Sequence, residues 1–113
     1  MVNLQAAQLD LLFYALSDST RRQILALVGQ KAHTVTELAQ PFKMSLTAVS
    51  KHIKILVECG LVEIHQHGRE RVCEARLDKL NEVTDWVSHY QQIWEERFNR
   101  LDELLQDIQN KEN

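Results

Sequence analysis

Polar and charged side chains recur between Ser45 and Leu61, in the stretch SLTAVSKHIKILVECGL. If this stretch is a helix, with about 100° of rotation per residue, they share one arc. They are Thr47, Ser50, Lys51, Lys54 and Glu58. Hydroxyl groups bind base edges and phosphates, and lysines pair with phosphates, so this arc suits the major groove of DNA. An amphipathic surface helix has the same pattern, and the stretch alone does not separate the two.

The opposite arc of the same helix is apolar and is predicted to be buried. Its residues are Leu46, Val49, Ile53, Leu56 and Val57. Ser45 is a predicted N-cap, and Gly60 permits the left-handed backbone that ends a helix. The predicted helix therefore spans about 45–59.

A short helix and a tight turn are predicted immediately before this stretch. Thr34 and Glu37 have the spacing of a capping box, which opens the segment TVTELAQPF, and Pro41 ends it. A short helix, a tight turn and a longer amphipathic helix form a helix-turn-helix. The context therefore favours DNA recognition over a plain surface helix.

Two further helices are predicted near the N-terminus. Residues 6–17 have apolar side chains at helical spacing, and a second helix follows a cap at Asp18 or Ser19. Arg21 and Arg22 lie in the first turn of that helix, where positive charge opposes the helix dipole. We therefore expect an acidic neighbour or a phosphate to hold them there.

After Gly60 the apolar period shortens from about 3.6 residues to 2, which predicts β-strands over 62–77. Gly68 and Arg69 fit the two-residue loop of a β-hairpin. In that register the inward partners are Ile64 with Cys73 and Val62 with Ala75. A hairpin directly after a helix-turn-helix is a wing, and Arg69 and Arg71 near its tip suit phosphates or the minor groove.

The net charge of −3 is unevenly distributed along the chain. Residues 41–77 carry six basic and four acidic side chains, whereas residues 78–113 carry four basic and nine acidic ones. DNA binding depends on a local basic patch rather than on the total charge. The acidity of the chain therefore does not exclude it.

A long helix is predicted from Asp78, over about 79–109, with a continuous apolar stripe. Some thirty residues of helix measure about 45 Å, more than a domain of this size covers. We therefore expect part of the helix to pack on a second subunit of a homodimer. The predicted contacts on this helix are Tyr90, Trp94, Phe98, Leu101 and Leu105.

Length and composition indicate one domain over 1–113, with 44% hydrophobic residues and enough chain for a core. No apolar run approaches the roughly 18 residues of a membrane span, and the N-terminus lacks a signal-peptide pattern. We expect a cytoplasmic protein without a membrane partner. No nucleophile with a base and no phosphate-binding glycine loop is apparent, which predicts a protein that is not an enzyme and has no cofactor.

Four segments resemble the arsenical-resistance-repressor (ArsR/SmtB) family of winged-helix regulators. They are LFYALSDSTRRQI from Leu12, AVSKHIKILVECGLV from Ala48, GRER from Gly68, and the pair Leu77–Asp78. The resemblance implies a homodimer joined by its first and last helices and a palindromic operator, bound by a repressor that a signal releases. For the first helix, over about 6–17, it implies interface contacts by Leu9, Leu12 and Phe13.

The chain departs from this family at two kinds of position. Many relatives have Gln and Pro where Leu46 and Thr47 stand, so the base contacts at the start of the recognition helix need not follow the common pattern. The segment TVTELAQ lacks the cysteine pair of metal-sensing members, and the last helix has a single histidine, His89. The family's known metal sites are therefore not predicted.

Two other effector chemistries remain as alternatives. His65 and His67 share one face of the first wing strand, which permits a zinc site, although an exposed hairpin offers no buried support. Cys59 and Cys73 permit a thiol-redox switch, although small buried thiols also simply fill space. For His52, at the edge of the apolar arc, packing and a phosphate contact are equally compatible with the pattern.

The sequence as a whole predicts a mainly α fold with a small β-hairpin, a winged helix-turn-helix of order α-α-α-α-β-β-α. The predicted function is DNA-binding transcriptional regulation by a homodimer, with double-stranded DNA as partner and an effector that the sequence does not identify. The alternative is an α-helical protein-interaction module that uses the acidic last helix. The predicted DNA-binding residues are Thr36, Ser45, Thr47, Ser50, Lys51, His52, Lys54, Arg69 and Arg71.

Overall fold

The computed structural model describes residues 4–112, which form five α-helices and a three-stranded antiparallel sheet. In chain order the elements are α1 (Leu4–Leu16), α2 (Ser19–Gln30), β1 (His33–Thr34), α3 (Val35–Ala39), α4 (Leu46–Glu58), β2 (Val62–His67), β3 (Glu70–Ala75) and α5 (Leu80–Glu112). A 3₁₀ turn, Leu77–Lys79, leads into α5. The predicted mainly α winged helix-turn-helix is confirmed. No helix within residues 4–112 combines the length and apolarity that a membrane span requires.

Contacts between residues divide the described part of the chain into two compact units, one ending at Val83 and one beginning at Thr84. The first unit contains the whole hydrophobic core. Side chains from α1 to β3 build it: Leu12, Ala15, Ile24, Leu25, Val28, Leu38, Val49, Ile53, Leu56, Leu61, Val62 and Cys73. Leu12, predicted at a dimer interface, is 2% exposed within this core. Its side chain is already covered by its own protomer, which leaves it little surface for a second subunit.

The apolar arc of α4 is largely covered as predicted, although Val57 is only partly buried and the first residue is exposed. Val49, Ile53 and Leu56 are almost completely covered, but Leu46 is 51% exposed. Cα–Cβ bonds tilt toward the start of a helix, and Leu46 is the first residue after the N-cap. Its side chain therefore extends beyond the end of the core, and the prediction that it is buried is wrong.

The predicted hairpin register is confirmed by the pairs Ile64–Cys73 and Val62–Ala75. Gly68 turns the chain at the tip with φ of 63°. The sheet also contains β1, which pairs with the other edge of β3 and was not predicted. A two-residue strand is too short to show an alternating pattern.

Side-chain caps begin α2 and α3 at residues that the sequence predicts. Asp18 accepts from the backbone N–H of Arg21, and Thr34 accepts from that of Glu37, each at 3.1 Å. The carboxylate of Glu37 also lies 2.9 Å from Nδ1 of His33, and this hydrogen bond lowers the pKa of Glu37. These caps fix the residues at which α2 and α3 begin.

Two arginines at the start of α2 hold the end of α1. The buried Arg21 donates from Nε to the carbonyl of Ala15 and from Nη2 to that of Tyr14, both at 2.8 Å. Its guanidinium lies 4.9 Å from the centre of the Tyr14 ring. Arg22 donates to the carbonyl of Leu16 at 2.7 Å. These carbonyls lack partners within α1, so the arginines serve the fold rather than a phosphate.

Gly60 gives a direct test of the junction between α4 and the wing. Its φ of 83° is left-handed, and a Cβ there would lie 3.4 Å from Cε of Lys79. We expect Gly60→Ala to lower the free energy of unfolding by about 1–2 kcal/mol, measured by urea denaturation. Gly29→Ala is the matched control, because Gly29 is helical and its Cβ would meet only Leu77 at 3.7 Å. That change should be neutral or stabilising. Equal losses of stability in both variants would show that the left-handed backbone at Gly60 is not the cause.

Candidate nucleic-acid interface

A groove of about 430 Å³ separates α4 from the wing, which we define as β2, β3 and their loop (62–75). Five of the predicted DNA-binding residues line it: Thr47, Ser50, Lys51, Lys54 and Arg71. Four of these lie on α4, and Arg71 comes from β3, so the fold joins two separate segments of the sequence. The floor is apolar and consists of Val35, Ile53, Val57 and Ile64. Hydroxyl and cationic side chains therefore surround an apolar floor.

The first turn of α4 is held by its N-cap. The hydroxyl oxygen of Ser45 accepts from the backbone N–H of Ala48 at 3.1 Å. Free backbone N–H groups and the helix dipole at such a start favour an anion, for which a DNA phosphate is suited. Thr36 is exposed on the preceding helix, α3. Its role in DNA binding remains a prediction.

The basic side chains in and next to the wing differ in their surroundings. Immediately after the wing, Nη2 of Arg76 lies 2.9 Å from Oε2 of Glu63 in β2. This hydrogen bond lowers the pKa of Glu63 and raises that of Arg76. Within residues 4–112, neither Arg69 nor Arg71 pairs with a carboxylate, and both are exposed. The uncompensated positive charge of the wing is therefore at its tip and beside the groove.

A local side-chain hydrogen bond lies at the hairpin tip. Nε2 of Gln66 donates to the carbonyl of Gly68 at 3.1 Å, next to Arg69. This bond limits the conformations of the loop that carries Arg69.

His52 contacts α2 and does not line the groove. Its Nδ1 lies 3.3 Å from Nη1 of Arg21 and 3.8 Å from Oδ2 of Asp18, and its side chain is mostly covered. Between the two interpretations left open by the sequence, this geometry favours packing. A phosphate contact by His52 remains untested.

The wing histidines do not converge on one site. Nε2 of His65 lies 3.3 Å from Glu63 and 3.5 Å from Glu74, whereas His67 is opposite Glu70 at the hairpin end. In the part of the chain described, no three His, Cys, Asp or Glu side chains are placed to share a metal ion.

Both cysteines are free thiols in covered positions. Sγ of Cys59 donates to the carbonyl of Leu56 at 3.3 Å, and Cys73 is completely buried. Burial raises the pKa of each thiol above its ordinary value. Reactive cysteines need the opposite shift, because the thiolate is the nucleophile.

We therefore expect both thiols of the folded protein to react slowly. At pH 8, labelling by an aromatic disulfide reagent should be at least about tenfold slower than in urea, because less thiolate is present and access is restricted. Mild oxidation should leave DNA binding unchanged. Rapid labelling with a loss of DNA binding that Cys59→Ser prevents would instead establish a thiol switch.

Two features of the interface were not apparent from the sequence. Val35 belongs to the groove floor because β1 places the start of α3 beside β3. Leu46 adds an exposed apolar side chain at the start of α4. Its position directly after the Ser45 cap was the available signal, because a side chain on the first helical residue tilts toward the start of the helix.

Comparisons with known proteins agree with this geometry. A family model described as a helix-turn-helix domain matches residues 16–65. The transcriptional repressor SdpR of Bacillus subtilis (strain 168) is 28% identical over 78 residues, which cover 69% of this chain and 87% of that protein.

Solved structures extend the similarity to most of the chain. The crystal structure of an ArsR family transcriptional regulator matches with 38% identity and a TM-score of 0.76, covering 80% of this chain and 93% of that one. The homodimeric winged helix-turn-helix DNA-binding domain Mb0332 from Mycobacterium bovis matches with 25% identity and a TM-score of 0.62, covering 81% and 88%. This chain belongs to the ArsR family of winged helix-turn-helix transcriptional regulators, a family of regulators and not of enzymes.

Proposed function

We propose that the protein is a homodimeric repressor that binds a palindromic operator through α4 and the wing. The observation that carries the proposal is the groove, where hydroxyls and lysines of α4 face an arginine of β3. The similarity to a repressor and to a homodimeric DNA-binding domain supports it. A regulator of this kind works where the chromosome is, so we place it in the cytoplasm.

The interface residues have distinct proposed roles. Thr47, Ser50 and Lys51 meet base edges or adjacent phosphates, since the first turns of a recognition helix enter the major groove. Lys54 and the start of α4 at Ser45 hold the phosphate backbone. Arg69 and Arg71 anchor the wing beside the helix.

Dimerisation is supported by the exposed apolar stripe of α5 beyond Thr84. In the single chain most of its large side chains are 40–60% exposed, among them Trp86 and Phe98. A contiguous apolar surface of this kind marks an association site. We assign to it the second subunit, with the contacts Tyr90, Trp94, Phe98, Leu101 and Leu105. For α1 we propose separately that Leu9 and Phe13 contact the second subunit. A twofold dimer presents two recognition helices, which can bind successive major grooves when they are about 34 Å apart.

A gel-shift assay with genomic fragments tests the proposed function. We expect one or a few promoter fragments to be retained at 0.15 M salt in the presence of competitor DNA, with retention falling steeply as salt rises. Absent or salt-insensitive binding would contradict the proposal. It would favour the alternative in which acidic α5 binds a protein partner and the winged helix is only a scaffold.

A further inference from the structure

Two apolar side chains are exposed where α4 begins. Leu46 is 51% exposed and Met44, just before the helix, is 40% exposed. Neither packs against the hydrophobic core. Leu46 is the first residue of α4, immediately after the Ser45 cap.

Leu46 lies beside the polar face of α4. Residues four apart on a helix are neighbours, so Leu46 is next to Ser50, which lines the groove with Thr47. The N-terminal residues of a recognition helix reach the base edges. On the proposed function, Leu46 therefore enters the major groove with these two hydroxyls.

A leucine side chain has no hydrogen-bonding group to offer a base. Most groups on the base edges in the major groove are hydrogen-bond donors or acceptors, and the C5-methyl of thymine is the apolar exception. If Leu46 covers a donor or acceptor, that group loses its water without gaining a partner, which weakens binding. Covering a thymine methyl instead removes two apolar surfaces from water.

We propose that Leu46 is a specificity-determining residue that contacts a thymine methyl group in each operator half-site. This inference rests on the proposed function, since it requires α4 to lie in the major groove. It predicts an A·T pair at the base position where each α4 begins, with Met44 close to the same or the adjacent pair.

The test uses an operator obtained by selection from a random pool of duplex DNA. Thymine-to-deoxyuridine substitution in this operator isolates the contact, because it removes the methyl group and keeps base pairing. At one position in each half-site we expect the affinity of the wild-type protein to fall about fourfold per methyl lost. Symmetric substitution in both half-sites should lower it about fifteenfold, if the two contacts are independent. The measurement is a fluorescence-anisotropy titration at fixed salt.

Two variants complete a double-mutant cycle. Leu46→Ala should bind the thymine and deoxyuridine operators equally well, whereas Lys51→Ala should bind both more weakly and keep the wild-type ratio. Thermal unfolding of each variant checks that the fold is retained. Specific binding with no deoxyuridine effect at any position, or with the same effect in Leu46→Ala, would overturn the inference and leave the proposed function intact. Failure to bind any specific DNA would overturn both.

Discussion

Arg21→Ala should lower the free energy of unfolding by about 3 kcal/mol. Arg21 is 6% exposed and donates to two carbonyls at the end of α1, those of Tyr14 and Ala15. The substitution removes these charge-assisted hydrogen bonds and leaves the carbonyl of Ala15 without its buried donor. It also removes the cation–π contact with Tyr14. Urea denaturation at one fixed protein concentration measures the effect, since dimerisation makes stability depend on concentration.

Arg22→Ala is the matched control for this prediction. Arg22 also donates to a carbonyl of α1, that of Leu16, but from an exposed position. Water can replace the donor there, so the expected loss is below about 0.5 kcal/mol. Similar losses for the two arginines would show that burial of Arg21 does not contribute to the junction between α1 and α2.

The double variant Lys51→Ala/Arg71→Ala should lose about a hundredfold or more in affinity for duplex DNA at 0.15 M salt. Each phosphate contact contributes about 0.9 to the slope of log K against log salt. A dimer loses four such contacts, so the slope should decrease in magnitude by three to four units. The loss should be similar for specific and random DNA, because phosphate contacts carry no sequence information.

The control for this variant is Lys31→Ala/Lys111→Ala. It removes the same number of positive charges from residues that do not line the groove. We expect a much smaller change in slope, reflecting only net charge. If the two double variants have equal affinities and slopes, the DNA-binding surface is not the groove between α4 and the wing.

Local signals explain how much of the fold the sequence could predict. The caps at Asp18, Thr34 and Ser45 act within three residues of themselves, so their patterns can be recognised without a structure. The register of the wing follows from its two-residue loop and the alternation of its strands. The polar face of α4 was also predictable, because the rotation per residue of a helix alone defines which side chains share that face.

The features that could not be predicted depend on contacts distant in sequence. β1 has only two residues and exists through its pairing with β3. Leu12 belongs to a helix with apolar residues on several sides, and the sequence does not show which side faces its own core. Arg71 completes the groove only because the sheet brings β3 beside α4. Each of these required the tertiary arrangement.

Selection of duplex DNA from a random pool tests most directly whether this protein reads a palindromic operator as a dimer. We expect one enriched motif with twofold symmetry and half-sites centred about 10 base pairs apart, or a multiple of one helical turn. The wild-type protein should bind it with two protomers per duplex, and Lys51→Ala/Arg71→Ala should bind the same motif about a hundredfold more weakly. A pool with no enriched sequence, or an asymmetric site bound by one protomer, would contradict the proposed homodimeric regulator.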